Sequence, residues 1–80
     1  MANKKEDFHN GDLEFNAKLF QELRIKMGLT QKELANRFKL NLQTVIKWEN
    51  GYSKPRLFDM YRLSKFYNRP IEDFVIDKGE

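Results

Sequence analysis

The chain has 80 residues, 40% of them hydrophobic and 14% aromatic, and its 15 Lys and Arg against 12 Asp and Glu give a formal net charge of +3. That length makes one domain with a modest core, and the absence of cysteine removes both a disulfide framework and a zinc-thiolate site, so redox chemistry says nothing of compartment. No apolar run reaches the length of a membrane span or of a signal peptide's hydrophobic region, and a cytoplasmic protein with no membrane association is the expectation.

In chain order, residues 1–15 are expected as a flexible tail, because MANKKEDFHNGD is polar, lacks periodicity and includes Asn10-Gly11. Asn16 then caps a first helix, with Phe15 and Phe20 as its hydrophobic staple. Ala17, Phe20, Leu23 and Met27 recur on one face of that helix, and Gly28 ends it. Thr30 and Glu33 form a capping box for a second helix over about Gln31 to Phe38, with Leu29 and Leu34 as the staple. Only Lys39 and Leu40 separate Phe38 from Asn41, which is placed to cap a third helix running from about Leu42 to Asn50 and closed by Gly51. So short a link is too tight for an antiparallel pair and predicts two helices that cross steeply, as in a helix-turn-helix. A fourth helix from about Leu57 to Tyr67 offers Leu57, Met60, Tyr61, Leu63 and Phe66 for burial, and Asn68 closes it. A fifth, about Ile71 to Ile76, follows Pro70, with Glu72 and Asp73 in its first turn to complement the dipole. No strand is expected. Residues 16–76 thus read as one all-α domain, a compact five-helix bundle, with 77–80 as a C-terminal tail.

Gln31 and Ala35, Val45, Trp48-Glu49-Asn50-Gly51 and Pro55, together with Leu23-Arg24 and Gly28-Leu29-Thr30 upstream, resemble the phage repressor and Cro type of helix-turn-helix DNA-binding domain. The resemblance covers residues 16 to 76 and implies a lambda-repressor-like fold whose helices 2 and 3 form the motif. Two positions depart from the family pattern. Lys39 stands where a Gly is usual in the turn, and Arg56 stands where a Ser or Thr usually caps the fourth helix.

Charge points the same way. Residues 17–69 hold twelve Lys or Arg against four acids, net +8, while residues 1–16 and 70–80 are net −2 and −3. A basic middle clustered on a helix-turn-helix is the electrostatic footprint of a polyanion binder. Helix 3 divides by face. Val45 and Trp48 point inward as core, and a lone Trp in so small a domain is an anchor rather than a base-stacking platform. Leu42, Gln43, Ile46, Lys47 and Asn50 point out. The resemblance carries base contact onto Leu42, Gln43 and Lys47, with Ile46 on the same face. The chemistry suits those roles, since Gln pairs with adenine N6 and N7, Lys donates to guanine and Leu packs on a thymine methyl. Gln31, at the amino end of helix 2, is a phosphate ligand by the same resemblance, and Lys32, Asn50, Tyr52, Ser53, Lys54 and Arg56 are further phosphate candidates. Arg24 and Glu49 resemble the pair that ties helix 1 to the end of the recognition helix in this family.

An enzyme fits poorly: His9, the sole histidine, lies in the tail, and neither a nucleophile with its base nor metal-ligand spacing is present. No cofactor is expected. The function implied is a sequence-specific double-stranded DNA-binding transcriptional regulator, a repressor, acting as a homodimer on a palindromic operator. The dimer contact is expected from Tyr67, Phe74, Val75 and Ile76, unless the core claims them. The alternative is an antitoxin-like module on the same fold that binds a protein partner as well as DNA.

Overall fold

The computed structural model describes residues 13–78; most of the expected amino-terminal tail, with His9 and Asn10-Gly11, lies outside them, as do Gly79 and Glu80. The elements are β1 (Leu13–Phe15), α1 (Ala17–Lys26), α2 (Gln31–Phe38), α3 (Leu42–Glu49), α4 (Leu57–Tyr67), a 3-10 turn (Ile71–Phe74) and β2 (Val75–Asp77).

Each helix ends in the same way, and the way explains four particular residues. In α1, α2, α3 and α4 the residue past the last turn is left-handed: Gly28 at φ 75°, Lys39 at 55°, Gly51 at 77° and Asn68 at 55°. The next backbone N–H then reaches back five residues to a carbonyl of the final turn, from Leu29 to Arg24 (3.1 Å), Leu40 to Ala35 (2.8 Å), Tyr52 to Lys47 (2.9 Å) and Arg69 to Ser64 (3.0 Å). These are Schellman closures, which satisfy carbonyls that a helix end leaves orphaned. Gly and Asn adopt this conformation readily; a Lys does so against its own Cβ. Lys39→Gly is therefore expected to raise the unfolding free energy by about 1 kcal/mol, read as a higher urea midpoint at unchanged slope; an unchanged midpoint would mean that Lys39 is not strained.

The helix starts differ more. Thr30 Oγ1 accepts from the Glu33 amide at 3.0 Å and Glu33 Oε1 from the Thr30 amide at 2.8 Å, so the capping box is formed as expected. Asn16 caps α1 by accepting from the Leu19 amide at 3.1 Å. Asn41 and Arg56 occupy N-cap positions without a side-chain bond to the helix, which corrects the expectation for Asn41. α3 also stops at Glu49, one residue short of the expected end, with Asn50 as its C-cap.

The fifth helix is the main correction. Ile71–Phe74 makes a single 3-10 turn, and Val75–Asp77 leaves it in extended conformation to pair antiparallel with β1, Leu13 opposite Asp77 and Phe15 opposite Val75. Among the described residues the fold is therefore four α-helices with a two-stranded ribbon, and not five helices without strands. The reason is local and tertiary together: Val75 and Ile76 are β-branched, and β1 offers them a backbone partner. Leu13–Phe15 and Asp77, assigned to tails from the sequence, are the ends of that ribbon. Asn16 locks the junction, because its amide N–H donates to the Phe74 carbonyl at 2.8 Å and its Nδ2 to that of Asp73 at 3.1 Å.

The core consists of Phe20, Leu34, Ala35, Phe38, Val45, Trp48, Met60, Leu63 and Phe74. Its aromatic members make edge-to-face contacts: Phe20 and Trp48 with ring centres 5.8 Å apart, and Phe38 with the half-buried Phe66 at 5.1 Å. The Phe15–Phe20 staple closes at 5.5 Å. Phe74, one of the four residues expected at the dimer contact, is fully buried in the core and is not available for it; Tyr67 and Val75 are half-buried against the same core and Ile76 is exposed. Met27, Leu57 and Tyr61, expected inside, are also exposed.

Candidate nucleic-acid interface

α3 is seated by its two inward residues, and everything it presents follows from that. Val45 and Trp48 are buried against α1 and α2, which turns Leu42, Gln43 and Lys47 to the exposed side, with Asn50 exposed just past the last turn. Ile46 is half-buried, so it faces outward only in part. The amino end of α3 carries no side-chain cap and therefore keeps its positive dipole end open. Lys32 is exposed on the first turn of α2, and Tyr52, Ser53, Lys54 and Arg56 are exposed on the loop that runs from α3 to α4. The basic and amide side chains of helix and loop thus occupy exposed positions within or directly beside the two-helix unit.

The angle of α3 is fixed by one buried carboxylate. Glu49 Oε2 accepts from Arg24 Nε at 2.6 Å, and Oε1 accepts from Arg24 Nη2 at 3.3 Å, Gln31 Nε2 at 3.0 Å and Gln21 Nε2 at 3.2 Å. Arg24 spends its remaining arm on the Leu29 carbonyl, Nη1 to oxygen 2.7 Å. The side chains of Arg24 and Glu49 are only 11% and 2% exposed, which removes them from the class of solvated surface pairs. Two residues of α1 and the first residue of α2 thereby grip the last residue of α3, and Arg24 is itself held by the turn after α1. Tyr67, at the end of α4, lies near this pair. Burial pushes its hydroxyl up to about 12, partly offset by Arg24 and reinforced by Glu49, and its oxygen is buried with no hydrogen-bond partner.

A family profile described as helix-turn-helix matches residues 20–74. The chain belongs to the helix-turn-helix family. It is similar to the cryptic phage CTXphi transcriptional repressor RstR of Vibrio cholerae, 35% identical over 63 residues, which cover 79% of this chain and 56% of RstR. An HTH-type transcriptional regulator of Archaeoglobus fulgidus is 36% identical over 61 residues, 75% of this chain and 86% of its own length. The HTH-type transcriptional activator BcrR of Enterococcus faecalis is 35% identical over 63 residues, 79% of this chain and 30% of BcrR. The chain thus spans about half the length of RstR, a smaller part of BcrR and most of the archaeal regulator.

Within this helix-turn-helix, the sequence reading of Gln31 needs a change. Its amide is not a free donor, since one N–H is engaged by Glu49 and only the other can serve a phosphate. Two anchors escaped the sequence. Gln21 joins the Glu49 cluster and carries a signal in hindsight, three residues before Arg24 on the same face of α1. Arg62 donates from Nη2 to the Phe38 carbonyl at 2.6 Å and stacks 5.0 Å from the Phe38 ring, closing the end of α2 from α4; nothing in the local pattern distinguishes it from a solvated Arg. Among the described residues no group of three or more His, Asp or Glu is set to hold a metal, and no helix is long and apolar enough to cross a membrane.

Proposed function

We propose that the chain is a sequence-specific double-stranded DNA-binding transcriptional regulator that reads the major groove with α3. The observation that carries this reading is a helix buried on one face and held by Glu49, whose other face presents Leu42, Gln43 and Lys47. The assignment divides by chemistry. Gln43 and Lys47 reach base edges, Leu42 and the exposed part of Ile46 pack on thymine methyls, and Gln31, Lys32, Asn50, Tyr52, Ser53, Lys54 and Arg56 hold the phosphates on either side. Repression is the mode assigned, because a protein seated on an operator blocks it by occupancy alone. A helix of eight residues covers only a few base pairs, which is too few for useful specificity, so two copies are required on a palindromic operator, their α3 helices about 34 Å apart in successive major grooves.

The test separates reading from positioning. Gln43→Ala and Lys47→Ala are each expected to weaken binding to the preferred site by roughly 1–3 kcal/mol and to relax preference at one base position. Lys54→Ala is expected to weaken all sequences alike and to flatten the salt dependence by about one unit of slope. Selection of bound duplexes from a random pool with each variant reads both effects. An unchanged selected motif for Gln43→Ala and Lys47→Ala would falsify the base-reading assignment.

A further inference from the structure

Among the described residues, the ribbon and the loop from α3 to α4 leave a groove between them. Leu13 and Phe15 of β1, Val75 of β2, Pro55 of the loop and Met60 of α4 line a hollow of about 360 Å³, with Lys54 at its edge. A second hollow of about 330 Å³ shares Leu13, Phe15 and Lys54 and runs on along the loop past Ser53 and Tyr52. The first has an apolar floor and the second a more polar wall, and Lys54 borders both. We propose that this groove binds a small amphipathic carboxylate, its apolar tail against Leu13, Phe15 and Met60 and its head group on Lys54, and that occupancy releases DNA; the release rests on the reading of Lys54 as a phosphate ligand.

Size and lining select a small molecule. Ligand clefts begin at about 300 Å³ and are apolar, with a few polar groups that fix orientation, which describes the first hollow and its single cation. Charge selects the head group. Lys54 is exposed and has no hydrogen-bond or ion-pair partner among the described residues. Glu14, the acid that lines the same groove, is held otherwise: strand alternation turns its side chain to the face opposite Leu13 and Phe15, and its carboxylate pairs with Lys78 at 3.3 Å. The groove therefore offers one free positive charge beside apolar surface, which suits an apolar acid better than an amine or a sugar. The effect on DNA follows from the same side chain. A Lys ammonium acts as a point charge, so a carboxylate seated on it neutralises it and sets a negative charge beside the phosphate that it would hold. Tyr52 and Ser53, assigned to the same phosphates, border the groove as well, and ligand and DNA thus compete for one stretch of loop.

The experiment uses the whole chain, with octanoate as the probe, acetate as the head without the tail and octanol as the tail without the head. In amide chemical-shift titrations without DNA, octanoate is expected to move residues 13–15, 52–54 and 75 saturably, with a Kd on the order of millimolar or below. Octanol is expected to bind at least about tenfold more weakly, since it lacks the charge-assisted bond, and acetate is expected not to saturate. Leu13→Trp fills the hollow with a residue that suits a strand, and is expected to abolish octanoate binding; circular dichroism checks that it is folded. On a duplex of mixed sequence, saturating octanoate is expected to weaken wild-type binding about fivefold or more relative to equal acetate, and to leave the binding of Leu13→Trp unchanged. Equal binding of octanol and octanoate overturns the proposal, as does the absence of a saturable shift, or nuclear Overhauser contacts that place a second copy or any of residues 1–12 in the groove instead. Lys54→Ala separates the site from the DNA reading. If Lys54→Ala binds the duplex as the wild type does, the phosphate assignment fails, while saturable octanoate binding still upholds the site. If Lys54→Ala binds the duplex more weakly but octanoate leaves the wild type unaffected, the release of DNA is refuted.

Discussion

Arg24→Ala is expected to lower the unfolding free energy by about 3 kcal/mol, several times what an exposed ion pair contributes. The reason is what the substitution leaves behind. Glu49 is 2% exposed, and without the Arg24 fork its Oε2 has no donor, while Oε1 keeps only Gln21 and Gln31. A buried carboxylate short of donors pays its desolvation without recovering it. Arg24→Lys is expected to restore little, because one ammonium does not bridge both carboxylate oxygens and the Leu29 carbonyl as the planar guanidinium does. Glu49→Gln is expected to be as damaging as Arg24→Ala, since an amide NH₂ or a neutral oxygen would face the Arg24 donors. A double-mutant cycle on urea midpoints measures the coupling, which is expected to exceed ~1 kcal/mol. A coupling near zero would show that the bridge does not hold α3. Because Glu49 is the last residue of α3, DNA affinity below the melting temperature is expected to fall for all sequences alike, unlike the change at Gln43.

The Arg24 and Glu49 pair was legible in the sequence only through the family resemblance, for 25 residues of chain separate the two and no periodicity links them. The helices themselves were plain from local signals. The box at Thr30 and Glu33, the left-handed closures at Gly28, Gly51 and Asn68, and the full span of α4 all depend on a few adjacent residues. Where the reading missed, the deciding contact was distant. Ile71 to Ile76 satisfies every local requirement of a short helix, but Val75 and Ile76 find β1 sixty residues away in sequence, and a strand of three residues gives too little alternation to be seen. α4 failed in a different manner. Apolar residues lie all round it, at Leu57, Phe58, Met60, Tyr61, Leu63 and Phe66, so its pattern names a helix without naming the inward face. The core took Met60 and Leu63, and Leu57, Phe58 and Tyr61 stayed exposed.

Phe20 and Phe58 turn that distinction into a direct comparison. Both are Phe in the first turns of a helix, yet Phe20 is fully buried against Phe15 and Trp48 while Phe58 is 82% exposed. Phe20→Ala is expected to lose about 3–5 kcal/mol through lost burial and the cavity left behind. A small domain has roughly 5–15 kcal/mol in all and this one belongs near the lower end, so the variant is expected to be largely unfolded at 37 °C. Phe58→Ala is expected to shift stability by no more than about 0.5 kcal/mol. Trp48, the sole tryptophan and 5.8 Å from the Phe20 ring, reports the difference by its fluorescence during urea titration. Equal midpoints for the two variants would mean that the Phe20, Phe15 and Trp48 cluster is not the centre of the fold. The expected result places Phe20 with the residues that seat α3, because the Trp48 it packs against belongs to α3 itself.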